Sequence, residues 1–227
     1  MNGIELLRKT PLFAGVSEEI LASLAQCLGK RTFARGMILF HKGSPGNSLY
    51  LIDQGKIRIF ILSEAGQEIS LNIHGPGDCF GELALLDGFS RSAGAMAVER
   101  TITYTLQRQD FLRHLGESPQ MARALLAQVS NHLRNATDYA ESLAFLDVYG
   151  RVATILLRLG KRYGIQEDNG VQIDMRLTQA ELAGYVAASR EMVNRVLRSF
   201  RAQGLISIGG QCVTILDEQG LRNRITY

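Results

Sequence analysis

Between Pro119 and Leu146 the apolar residues Ala122, Leu126, Val129, Leu133, Ala136, Ala140 and Leu143 recur at alternating steps of four and three. This is an a/d stripe held over three heptads, and only a long amphipathic helix satisfies such spacing. A stripe this narrow needs a matching stripe. A second copy of the same helix supplies one, so the segment reads as a parallel homodimeric coiled coil. The other reading is one long helix docked on the domain before it. Either way, the stripe separates a front and a back part whose rhythms differ.

The front opens with a segment that reads as helical from Gly3 to Leu28: Ser17 is a candidate N-cap, and Ile20, Leu21, Leu24 and Leu28 follow at helical spacing. From Arg31 to about Arg108 the pattern becomes β-like. Apolar runs at 37–40, 49–52, 57–62, 69–73 and 102–106 alternate with turn signals at Gly36, Gly43, Pro45-Gly46, Gln54-Gly55, Ala65-Gly66 and Gly75-Pro76-Gly77. Short strands with a turn about every ten residues predict an antiparallel roll or sandwich, a jelly-roll being the simplest.

Behind the stripe, Phe145-Leu146-Asp147 is a break, and Asp147 caps a helix expected to reach Tyr163 with Val152, Ile155, Leu156 and Leu159 inward. A polar turn at 167–170 precedes a short strand, Val171 to Ile173. The stretch from Leu177 to Phe200 then reads as two helices joined by a tight turn. Thr178 and Glu181 form a capping box at the first start and Ser189 caps the second. Val193, Val196, Leu197 and Phe200 face inward, whereas Arg190, Glu191, Asn194, Arg195 and Arg198 face out. Forked guanidiniums at Arg190 and Arg195 suit guanine, Glu191 can accept from cytosine, and Arg198 suits phosphate. Thr178, Gln179 and Ser189 complete the candidate DNA-facing set. A hairpin over 205–215 forms the wing. The fold class is thus α+β: an N-terminal β jelly-roll over residues 1–118, a dimerisation helix and hinge over 119–147, and a C-terminal winged helix-turn-helix over 148–227.

Charge agrees with that division. Up to Asp147 there are 14 Lys and Arg against 15 Asp and Glu, and from Val148 onward 11 against 7. A basic back part suits a polyanion such as double-stranded DNA. Cys27, Cys79 and Cys212 are far apart in sequence and read as free thiols in a reducing compartment. With no CxxC or Cys/His cluster, no metal site is expected, and His41, His74, His114 and His132 read as surface or structural residues. No nucleophile elbow or Walker loop is present, so no residue is assigned a catalytic role and no enzyme is expected. No apolar run or signal-peptide stretch directs the chain to a membrane, and the expected location is the cytoplasm.

Three stretches resemble the catabolite-activator branch of the CRP/FNR regulator family, and together the likeness covers nearly the whole chain. Phe80 to Leu86 with Arg91-Ser92-Ala93 looks like the family's phosphate-binding cassette. Leu143 to Val148 is similar to its interdomain hinge, and Ser189-Arg190-Glu191 with Arg195 matches its recognition helix. The resemblance implies a cyclic nucleotide, cAMP first, as allosteric ligand with no further cofactor. It also implies a homodimer on palindromic TGTGA-like sites, with RNA polymerase a candidate partner. Gly81, Glu82, Leu83, Ala84, Arg91, Ser92 and Ala93 would hold the nucleotide, Arg91 on the phosphate and Glu82 on the ribose 2′-hydroxyl. The plainer reading of Glu82 and Arg91 is a structural ion pair beside a turn. Thr137 would reach the base from the stripe helix. Its neighbour is Ala136 where the catabolite activators carry an adenine-contacting threonine, so one expected base contact is missing. The same fold answering to cyclic di-GMP or to no nucleotide is the alternative.

Overall fold

The computed structural model describes residues 2–64, 66, 68–175, 178–210 and 212–225. Met1, Ala65 of the expected Ala65-Gly66 turn and Leu177 at the head of the expected two-helix motif lie outside the described residues. The chain separates into two compact units, Met1–Leu133 and Arg134–Tyr227.

In the first unit, α1 (Gly3–Lys9), a 3-10 turn (Pro11–Phe13) and α2 (Glu18–Gln26) replace the single helical segment expected over 3–28. Pro11 tolerates the start of a turn but cannot continue a helix, and Gly15 takes a left-handed φ of 75°. Strands follow as β1 (Gly29–Phe33), β2 (Ile38–Phe40), β3 (Ser48–Gln54), β4 (Ile57–Leu62), β5 (Glu68–His74) and β6 (Cys79–Phe80). A one-turn helix α3 (Leu83–Asp87), β7 (Gly94–Ala97), β8 (Thr101–Gln107) and α4 (Arg108–Glu117) lead to the long helix α5 (Pro119–Phe145).

The eight strands form two four-stranded antiparallel sheets, ordered β1-β8-β3-β6 and β2-β7-β4-β5. Strand β3 explains why its apolar run is unbroken. Leu49 and Leu51 face a core shared with α1, α2, α4 and the start of α5. Tyr50 and Ile52 face the opposite core, between the sheets, with Ile57, Phe80, Ala95 and Ala97. Strands buried on both faces lose the alternation that a half-exposed strand shows.

Helix α5 carries two stripes. Met121 and Leu125 are buried in the first-unit core, with Val129 partly buried against it. The a/d residues Leu126 and Leu133 are 68% and 69% exposed. The helix therefore docks on the β-roll through a stripe adjacent to the heptad seam, and most of the seam faces outward.

In the second unit Asp147 Oδ1 accepts from the Gly150 amide at 2.8 Å and starts α6 (Val148–Tyr163), whose Val152, Ile155, Leu156 and Leu159 are buried. Strands β9 (Gly164–Glu167) and β10 (Gly170–Ile173) follow, then α7 (Gln179–Val186), α8 (Arg190–Ala202), β11 (Ile206–Gly209), β12 (Cys212–Ile215) and α9 (Glu218–Arg222). The four strands make one sheet ordered β11-β12-β10-β9. Among the described residues no helix is long and apolar enough to cross a membrane, and no group of three His, Cys, Asp or Glu could hold a metal ion.

Candidate ligand cassette and DNA-reading helix

The turn between β6 and α3 begins at Gly81, whose φ of 87° only glycine adopts without strain. A side chain there would also place its Cβ 2.6 Å from the Arg91 guanidinium. Arg91 Nη1 donates to the Gly81 carbonyl at 2.8 Å and Nη2 to the Ser48 carbonyl at 2.7 Å. Its guanidinium lies over the Phe40 ring, 4.3 Å from the centroid. Gly46 makes room on the far side, since a Cβ there would run into Ala84 and close on the Arg91 Nε. That Nε is buried with no protein partner. Burial pulls the Arg91 pKa down, while Tyr50 and Glu82 oppose the shift.

Glu82 is 2% exposed. It does not pair with Arg91: its Oε1 lies 3.1 Å from Nδ1 of His132 on α5. The plain ion pair between Glu82 and Arg91 is thus absent, because backbone carbonyls hold the guanidinium and an imidazole holds the carboxylate. Ala84, Arg91 and Ala93 are buried beside Glu82 in sequence, while Leu83 and Ser92 are exposed. Thr137 lies on α5 in the second unit.

By sequence His132 reads as a surface or structural residue, yet a signal for its role exists. Met121, Leu125, Gln128 and His132 are spaced by four, three and four, a second stripe beside the a/d seam. Its polar members reach β6 and the turn after it: Gln128 Nε2 donates to the Cys79 carbonyl at 3.4 Å, and His132 meets Glu82. His132 also meets His74 edge-on with ring centroids 6.4 Å apart, so two of the four histidines adjoin. Phe40, Ser48 and Gly46, which seat Arg91, carry no local motif.

In the second unit the capping box is complete. Thr178 Oγ1 accepts from the Glu181 amide at 3.2 Å, and Glu181 Oε2 accepts from the Thr178 amide at 2.7 Å. Ser189 Oγ accepts from the Met192 amide and starts α8. Between the helices Ala187 takes a left-handed φ of 47°, the sharp bend that reverses the chain. Val193, Val196, Leu197 and Phe200 are buried, and Ser189, Arg190, Glu191, Arg195 and Arg198 are exposed. Gln179 Nε2 donates to Asn194 Oδ1 at 3.2 Å, tying the two helix faces together. Glu191 is held below the usual carboxylate range by its own backbone amide, the Ser189 hydroxyl and the Arg190 charge. At the break between α5 and α6, Arg151 Nε donates to the Val186 carbonyl and Nη1 to the Leu146 carbonyl, each at 2.8 Å. One guanidinium thus joins the end of α5, the start of α6 and the end of α7.

A roll with a buried carboxylate in its β6–α3 turn and a separately held buried guanidinium between α3 and β7, followed by a winged helix with an exposed arginine face, defines a ligand-domain transcription regulator. Residues 30–118 match the cyclic nucleotide-binding domain family and residues 150–224 the Crp-like helix-turn-helix domain. The chain belongs to the CRP/FNR family of DNA-binding transcription regulators. It is 36% identical over 220 residues to the CRP-like cAMP-activated global transcriptional regulator of Mycobacterium tuberculosis, covering 97% of this chain and 98% of that one. The cyclic AMP receptor protein of Thermus thermophilus is 34% identical over 92% of this chain and 94% of its own. Among solved structures, the c-di-GMP responsive global regulator CLP of Xanthomonas campestris aligns with a TM-score of 0.77 at 25% identity. That alignment covers 88% of this chain and 99% of CLP.

Proposed function

We infer that this protein is a homodimeric regulator whose DNA binding is switched by cAMP seated on the cassette, and that its targets are palindromes with TGTGA-like half-sites. The observation that carries the reading is the pair Glu82 and Arg91. Both are buried, 2% and 5% exposed, and neither neutralises the other. Glu82 meets an imidazole and Arg91 only backbone carbonyls, so the guanidinium is buried with no anion on it, which is costly for a fold. A ligand with one phosphate anion would supply Arg91 with its counter-charge, and a ribose hydroxyl would give Glu82 a donor beside His132. Gly81, Leu83, Ala84, Ser92 and Ala93 complete the cassette, and Thr137 would meet the base across the dimer. The cAMP-related names of the relatives from Mycobacterium tuberculosis and Thermus thermophilus favour the same ligand.

The outward stripe on α5, with Leu126 and Leu133 bare in the single chain, favours self-association, since such apolar surface seeks cover. Ligand binding then biases the break at Phe145-Leu146-Asp147 between two arrangements, one of which sets the paired recognition helices about 34 Å apart, one DNA turn. RNA polymerase is the partner through which such a protein would act. A second reading keeps the fold but changes the ligand to cyclic di-GMP, favoured by the likeness to CLP and by Ala136 in place of a polar base contact.

Gel shift on a TGTGA palindrome at fixed salt, with and without cAMP, cGMP or cyclic di-GMP, tests the proposal. Tighter binding with cAMP supports it. Equal affinity under all conditions assigns the protein to the ligand-free alternative. Salt must be held constant because phosphate contacts vary steeply with ionic strength.

A further inference from the structure

We propose that His132 is a positioning residue for the ribose-reading carboxylate Glu82, and that cyclic-nucleotide affinity falls as the His132 ring loses its proton. The inference rests on the reading of Glu82 as the ribose acceptor given above. Its basis is geometric. His132 Nδ1 sits 3.1 Å from Glu82 Oε1, and the carboxylate is 2% exposed, so one oxygen is engaged by the ring and Oε2 is left for a second donor. The ring is itself backed by His74, edge-on at 6.4 Å, which stacks on Phe80 at 5.8 Å.

The charged and titratable groups around the pair are few. Glu82 and His74 face the ring from the β6–α3 turn and from β5. Asp78 stands behind His74, its Oδ2 3.7 Å from the His74 Nδ1. Arg91 and Cys79 are the further titratable groups that feel the Glu82 charge. The hydrogen bond to Glu82 raises the His132 pKa above its ordinary value, against the opposing effect of burial.

Below an ordinary histidine pKa, about 6.5, the ring is an imidazolium and the bond to Glu82 is charge-assisted, so the carboxylate is held in one orientation. As pH rises through the raised pKa the ring becomes neutral. It then divides between a tautomer that still donates from Nδ1 and one that turns a lone pair toward the carboxylate. Glu82 loses its fixed orientation, and the 2′-hydroxyl loses a pre-aimed acceptor. The phosphate contact at Arg91 is untouched.

The test is calorimetry on the full-length protein with cAMP, cGMP and 2′-deoxy-cAMP at about pH 6 and about pH 8, the range over which a histidine titrates. Wild type is expected to bind cAMP about three- to tenfold more weakly at the higher pH, since one unit of linked pKa is about a tenfold change in affinity. 2′-deoxy-cAMP is expected to bind weakly and nearly independently of pH. His132→Ala should flatten the cAMP profile at the weak level. His132→Arg, whose charge does not titrate, should flatten it at the tight level. Circular-dichroism melting checks that each variant is folded. A flat wild-type profile, an equal pH effect on cAMP and 2′-deoxy-cAMP, or His132→Ala binding as wild type does would each overturn the proposal while leaving nucleotide binding intact. Failure of both cAMP and cGMP to bind at either pH overturns the ligand reading and this assignment with it.

Discussion

The cassette and the recognition helix both use arginine, in opposite ways. Arg91 is 5% exposed and spends its Nη groups on two backbone carbonyls. Arg190, Arg195 and Arg198 stand in solvent on one face of α8, whose other face is buried at Val193, Val196, Leu197 and Phe200. A buried guanidinium is part of the fold as well as of the site: its position is over-determined, and removing it disturbs both. An exposed guanidinium on a rigid helix is almost free of the fold and can be exchanged without cost to it. The first arrangement suits a small ligand whose geometry must be matched. The second suits a long polyanion approached from solution, whose binding depends on salt.

Arg91→Ala should give the largest effect. Each part-buried carbonyl left without its donor costs up to about 1 kcal/mol, so thermal melting of the front unit should fall together with nucleotide affinity. An unchanged melting curve would mean that the guanidinium is not part of the fold, and the contrast between the two regions would collapse. Arg190→Ala comes next. It should leave stability within about 0.5 kcal/mol but cost about 1–3 kcal/mol on cognate DNA and relax base preference at one position. A loss that is equal on every sequence in competition gel shifts would demote Arg190 to a phosphate contact. Arg198→Ala should be the mildest, weakening all duplexes alike and lowering the slope of log affinity against log salt by about 1. A base-specific loss there would move the reading surface one turn along α8.

Much of the second unit could be read directly from residue order. Helix caps, buried faces and exposed faces in α6, α7 and α8 depend on neighbours within one or two turns, so Asp147, Thr178 with Glu181, and Ser189 announce their elements locally. The first unit was legible in its rhythm but less so in its detail. Strands β1, β6, β7 and helix α4 have weak patterns of their own, and β1 is largely exposed. They exist because neighbouring strands offer an edge or a core to cover.

Local periodicity, capping and turn chemistry therefore determined the class of each half, the stripe on α5 and the outward arginine face of α8. What packing decided was which charge meets which. Glu82 and Arg91 are nine residues apart in the chain, yet one is held by His132 of α5 and the other by Ser48 of β3 and its own turn at Gly81. His132 and Ser48 lie tens of residues away from the charges they hold, and only the closing of the roll brings them within hydrogen-bond reach.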